Sequence, residues 1–235
     1  MRKLLGIAGL FALAGALAGE AARAHPARII LLRHGEKKDS AKLCGVGNLR
    51  AQALAAQYLG KGAPGNDAIF GRGKTPDAFF AVTEHTRETV APSAATWDKP
   101  PVVFSVPPKD PTEDSDLATQ TRQAAAALNS AEYDGKIVVI VWEHKHIANK
   151  DLNDSDVTFW GLLNLGKISN VDVPHTWEGA NYDYFWIIDY ANPQPTFTMI
   201  PQVYAAAAYA KVPNNAWGKN VDQSQFPESY QDCKQ

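Results

Sequence analysis

Apolar and polar positions along this chain alternate in blocks with two distinct periods. "ARIILLR" (residues 27–33) is a short apolar run ending in charge and predicts a buried strand. "GNLRAQALAAQYLG" (47–60) changes to helical spacing, with Leu49, Ala53, Leu54 and Tyr58 along one stripe and Gly60 as its stop. "DAFFAVT" (77–83) predicts a second strand, "ETVAPSAATW" (88–97) a short helix interrupted by Pro92, and "PVVFSVP" (101–107) a third strand. The polar loop "PPKDPTEDSD" (107–116) carries Asp and Ser suited to cap the alanine-rich helix "LATQTRQAAAALNSA" (117–131). "GKIVVIVWEH" (135–144) is the plainest strand, and "YDYFWIIDYA" (182–191) and "TFTMIPQVY" (196–204) read as a late pair.

The unbroken β-branched run from Ile137 to Val141 suits a central parallel strand covered on both faces. With strands and helices alternating before it, the pattern predicts a three-layer α/β/α fold with a largely parallel central sheet. No internal repeat, low-complexity linker or second domain is visible, so residues 25–235 are read as one domain.

The first 24 residues stand apart. Arg2 and Lys3 precede an apolar stretch from Leu4 to about Ala18, and small residues lead to Ala22-Arg23-Ala24. This is the layout of a signal peptide cleaved after Ala24, implying a periplasmic or secreted protein. The stretch is shorter than the roughly 20 apolar residues of a membrane span, so no stable membrane insertion is expected after cleavage. Loss of the leader moves the formal charge from −2 to −4, leaving 20 basic against 24 acidic residues. That balance gives no electrostatic reason to expect nucleic acid or an anionic membrane as a partner. A bound anion must then be held by a local basic cluster. Cys44 and Cys233 are compatible with one disulfide in an oxidising compartment, with free thiols as the alternative.

Candidate chemistry lies at the strand ends, where open α/β sheets bind ligands. The first strand ends in Arg33-His34, the second runs into "TEHTRET" (83–89), and the longest ends in Glu143-His144-Lys145-His146. Brought side by side, these groups suit phosphoryl transfer: a neutral imidazole attacks phosphorus, and arginine binds the non-bridging oxygens.

"LLRHGEK" after a hydrophobic strand resembles the signature of the histidine phosphatase superfamily, which includes the phosphoglycerate mutases and histidine acid phosphatases. "GNLRAQALA" and "IVVIVWEHKHI" are similar to the family's next helix and second-histidine strand. The resemblance implies a phosphoglycerate mutase-like fold and hydrolysis of a small-molecule phosphate monoester, with neither metal nor organic cofactor. It makes His34 the phosphorylated nucleophile, Arg33 a phosphoryl ligand and His144 the second pocket histidine, with Gly35 clearing space for the phosphate. Glu36 would orient a neighbouring basic group or stay solvated. An exported enzyme fits a phosphatase better than a mutase, because phosphoglycerate is an intracellular metabolite.

Two family features are displaced. The second arginine usually stands four residues before a threonine; counting back from Thr89 reaches His85, whereas the nearby arginine is Arg87. Two helical positions are roughly 200° apart, so both cannot face the same ligand. Arg87 is the expected cation, because a permanently charged fork binds phosphate better than imidazole; His85 is its rival. The general acid is expected among Asp110, Glu113, Asp114 and Asp116 in the loop, with Glu84 as an option and Glu143 in a supporting role. A degenerate member that binds phosphorylated ligands without turnover is the second reading. A metal-dependent hydrolase using His144 and His146 on one strand face is the third. Trp160, Trp177, Trp186 and Tyr182 either line a cleft or form the outer core.

Overall fold

A computed structural model of the chain describes residues 25–106, 113–191, 194–221 and 232–233. Residues 1–24, read as a signal peptide, and Asp110 lie outside these residues. Strand β1 (Arg28–Arg33) starts just after Pro26 and is buried from Ile29 onward. The strands that follow are β2 (Ala78–Ala81), β3 (Val102–Val103), β4 (Ile137–Trp142), β5 (Tyr184–Asp189) and β6 (Thr196–Pro201). They form one six-stranded sheet in the order β3-β2-β4-β1-β5-β6.

β1 pairs in parallel with β4, from Arg28 opposite Ile137 to Arg33 opposite Trp142. β4 pairs in parallel with β2, and β2 with β3. β5 runs antiparallel to β1, and β6 antiparallel to β5, so β5 alone is reversed within the sheet. The largely parallel sheet is therefore present. All six β4 residues are buried, as its apolar run requires.

The period-2 alternation of side chains divides the core in two. Ile29 and Leu31 join Val138, Ile140, Trp142 and Trp186 against α4 (Glu113–Leu128). Ile30 and Leu32 join Val139 and Val141 on the opposite face. That face is covered by α1 (Gly45–Leu54), α2 (Asn66–Phe70) and α3 (Glu84–Thr96) through Leu54, Phe70, Val90 and Ala94. The result is the expected α/β/α sandwich. Each fully buried aliphatic side chain contributes about 1.5–3 kcal/mol.

Several boundaries differ from the sequence pattern. α3 begins at Glu84, four residues before the expected start, because Thr83 and Thr86 form a reciprocal cap there, and it continues through Pro92. β3 shrinks to two exposed edge residues. α4 starts at Glu113, so Glu113, Asp114 and Asp116 belong to its first turn, where they complement the helix dipole. β4 stops at Trp142, and His144–Ile147 forms the short α5; α6 (Phe159–Leu162) follows. Trp177 and Trp186 are fully buried and pack 5.0 Å apart, which makes them core. Cys44 and Cys233 are disulfide-bonded, tying residue 233 to the N-cap of α1. No helix among the described residues is long and apolar enough to cross a membrane.

Candidate active site

The carboxyl ends of β1, β4 and β2 lie side by side, because β4 pairs with both of the others. The His34 amide extends the ladder by donating to Trp142 O at 3.3 Å. The chain then turns at Gly35, whose amide donates to Thr89 Oγ1 at 2.8 Å, while that hydroxyl donates to His85 O at 2.7 Å. A side chain on Gly35 would meet the backbone of Gly47 at 3.0 Å, and one on Gly47 would strike Glu36 O at 2.2 Å. The glycine expected to make room for phosphate instead admits the start of α1. Glu36 is buried in a two-pronged pair with Arg50, at 3.0 and 2.6 Å. Burial alone would raise the Glu36 pKa, but Arg50 holds it below its usual value. Glu36 thus orients a basic group, Arg50, whose part the sequence pattern left unassigned.

His34 is fully buried, and its Nδ1 lies 2.6 Å from Gly35 O. A carbonyl can only accept, so Nδ1 carries the hydrogen and the neutral ring keeps its lone pair on Nε2. Burial lowers the His34 pKa to about 4, outweighing the attraction of Glu143. Near pH 7 the site therefore holds a neutral imidazole with Nε2 unprotonated.

Glu143 stands against that nitrogen. Its Oε2 is 3.1 Å from His34 Nε2, without the alignment of a hydrogen bond. The carboxylate is gripped by Lys37 Nζ at 3.0 and 3.2 Å and accepts from Thr83 Oγ1 at 2.9 Å. Burial would raise its pKa, but His34 and Lys37 hold it well below the usual carboxylate range. Lys37 is the standing cation of the two, since His34 is neutral above about pH 4. Sequence reasoning missed Lys37; its only signal is its place three residues after His34.

Arg33 is buried, and burial lowers its pKa. Its guanidinium lies 3.8 Å from the centre of the Tyr182 ring, and it donates to Gly179 O at 2.6 Å and to the Tyr182 hydroxyl at 3.1 Å. Its Nε is buried without a partner. Tyr182, from the loop before β5, therefore belongs to the site, with its ring 5.9 Å from that of His34.

Residues 85 and 87 separate as helix geometry requires, with the inward place going to His85. Arg87 is exposed and pairs with Glu84 at 2.6 Å, away from the cluster. The expected second cation is thus corrected: α3 starts before Glu88, so Arg87 sits on a formed helix and cannot swing inward. His85 is buried, its ring 5.7 Å from that of His34 and its Nε2 2.8 Å from Asp39 O. Burial, and secondarily Lys37, lowers its pKa.

His144 joins the cluster, with one donor atom each from His34, Glu143 and His144 within 4.8 Å of one another. Burial pushes its pKa down to about 2, helped by Arg33, and its Nδ1 has no partner. His146 does not join. α5 rotates it away from His144, and its Nδ1 lies 2.8 Å from Val157 O. The shared strand face behind a His144/His146 metal pair does not exist, because β4 has already ended. Glu84 is tied to Arg87, and Asp114 is exposed on α4. Among the described residues, Glu143 is the carboxylate that stands at His34.

No protein-family model matches the chain, and no curated protein matches it. Among solved structures, it is similar to a candidate alpha-ribazole-5'-P phosphatase of Escherichia coli, at 14% identity and a TM-score of 0.43, covering 76% of this chain and 99% of that one. It is also similar to the product of open reading frame Rv3214 of Mycobacterium tuberculosis, at 11% identity and a TM-score of 0.38, covering 76% and 98%.

Proposed function

We propose that this chain is an exported phosphatase of the histidine phosphatase type, which cleaves a small-molecule phosphate monoester through a phosphohistidine on His34. The observation that carries the reading is the state of His34. Its Nδ1 is held by Gly35 O, and its Nε2 makes no hydrogen bond, with Glu143 at 3.1 Å and Arg33, His85 and His144 around it. A nucleophilic imidazole needs that tautomer. The leader-like residues 1–24 support export.

In the first step Nε2 bonds to phosphorus and the ester P–O bond breaks. Arg33 and Lys37 offset the charge on the phosphoryl oxygens, and the leaving oxygen takes a proton from the Glu143 carboxyl. In the second step water attacks phosphorus, the N–P bond breaks, and the Glu143 carboxylate receives the water proton. Inorganic phosphate leaves and the starting state returns. Glu143 thereby takes the acid role expected of the loop carboxylates. The first step needs a protonated Glu143 beside a neutral His34, a minor form because Glu143 is held well below the usual carboxylate range and His34 protonates near pH 4, so activity falls steadily as pH rises from about 4 toward neutral.

A binder without turnover is the second reading. It is favoured by Glu143 Oε2, which stands 3.1 Å from Nε2, in space that an attached phosphoryl group would need. Phosphate release from an aryl phosphate between pH 4 and 8, with chelator present, separates the two. Activity that disappears in His34→Ala, with phosphohistidine trapped on the unaltered chain, supports the enzyme. Binding of phosphate without release or trapped phosphohistidine supports the binder.

A further inference from the structure

We infer that the same pocket is a binding site for a borderline divalent transition-metal ion of the zinc or cobalt kind, held by His34, Glu143 and His144, and that the bound ion silences the His34 nucleophile. The site follows from the geometry of the three side chains. The silencing rests on the proposed phosphatase reading.

Three donor atoms, two imidazole nitrogens and a carboxylate oxygen, lie within 4.8 Å of one another. His34 Nε2 and Glu143 Oε2 are 3.1 Å apart. Metal–ligand bonds of about 2.0–2.2 Å arranged tetrahedrally put neighbouring donors about 3.3 Å apart. One edge of such a site is therefore nearly in place, and His144 closes it by a shift of roughly 1.5 Å or less, the difference between its outermost separation and that edge.

The pairing is also unsatisfied without a bridging group. His34 Nδ1 must donate to Gly35 O, so the neutral ring turns its Nε2 lone pair toward a carboxylate oxygen. Two acceptors then face each other at hydrogen-bond distance inside the protein. A cation between them converts that opposition into two bonds. His34 is fully buried, and both its Nε2 and His144 Nδ1 lack a hydrogen-bond partner. Two imidazoles and one carboxylate match the donors that borderline divalent metals prefer, and three protein ligands leave a coordination position open.

Lys37 opposes the ion. It occupies both Glu143 oxygens, and Arg33 adds a second positive charge nearby. Metal binding therefore requires Lys37 to swing away from Glu143. The ion and a phosphoryl group compete directly, since each needs the lone pair on Nε2.

The test is titration of the chelator-stripped full chain with Co2+, read by its visible ligand-field absorption, followed by displacement with Zn2+. The expected result is saturation at one ion per chain, with loss of the band in His144→Ala and binding weakened by roughly tenfold or more in Glu143→Gln. Lys37→Met should tighten binding, a gain that damage to the fold would not produce. His146→Ala should bind as the unaltered chain does. Absence of the band, or its survival in both His144→Ala and Glu143→Gln, overturns the site. Phosphate release should fall in step with Zn2+ occupancy; activity that instead requires the ion overturns the silencing. If the band appears but no phosphate is released under any condition, the phosphatase reading fails and the metal site stands.

Discussion

The imidazole of His85 lies 5.7 Å from that of His34, ring centre to ring centre, and it faces inward from the first turn of α3. Arg87, two residues on, faces solvent. Arg87→Ala should leave phosphate release unchanged, and it should cost about 0.5 kcal/mol or less in stability, because it breaks one exposed pair within a helix. His85→Ala should lower kcat/KM by about tenfold or more, the loss expected of one positioned polar contact. Steady-state kinetics of the two variants side by side decide the matter. Loss of activity in Arg87→Ala would mean that α3 does not present these residues as described.

Acid should destabilise the fold. Burial lowers the His34 pKa from 6.5 to about 4, and it also lowers His85, His144 and His146. In the unfolded chain these groups titrate near 6.5, so below that pH the unfolded state takes up protons that the folded state refuses. Their contribution is complete above about pH 6.5 and is lost as pH falls, for His34 through its folded value near 4. His34 alone corresponds to about 3 kcal/mol. Glu143, also depressed, acts in the same direction. Urea midpoints should fall steadily between about pH 7 and pH 4.5; a flat profile would show that these histidines are solvated.

Removing half of the Glu36–Arg50 pair should be costly. Both side chains are almost wholly buried, and Arg50 also donates to Pro213 O at 3.1 Å. Arg50→Ala leaves a buried carboxylate uncompensated, for an expected loss of about 3–5 kcal/mol. Thermal unfolding measures it, and a loss near 1 kcal/mol would indicate that water reaches the pair.

Gly47→Ala tests how the loop that carries His34 is seated. The added methyl would lie 2.2 Å from Glu36 O, a backbone atom that cannot turn aside. The loop must shift, so both stability and phosphate release should decline, with overpacking costing about 1–3 kcal/mol. A folded variant with full activity would place the loop farther from α1.

Much of the fold was legible because the hydrophobic periods are local. The β-branched run of β4, the alternation that splits Ile29 and Leu31 from Ile30 and Leu32, and the helical stripe near Leu54 each follow from neighbouring residues. The helix starts were less legible. Thr83 and Thr86 cap α3 through a reciprocal pair of hydroxyls, a weaker sequence signal than the following apolar residues and Pro92. That difference decided between Arg87 and His85, since a loop would have freed the arginine and a helix does not.

The sequence by itself determined the six strands, the main helices α1, α3 and α4, their order, and the residues carried by the ends of β1, β2 and β4, because propensity and periodicity act within a few residues. It also placed Arg33, His34 and His144 as candidates, since each follows an unmistakable apolar strand. Only the tertiary structure decided that Glu143 meets His34, that Lys37 reaches across to hold it, that Tyr182 covers Arg33, and that Cys44 pairs with Cys233. Those relationships join residues as many as 189 positions apart. They depend on the parallel pairing of β1 with β4 and on the angle at which each chain leaves its strand. Local sequence carries no measure of distance across a sheet, and the chemistry of this pocket is set by such distances.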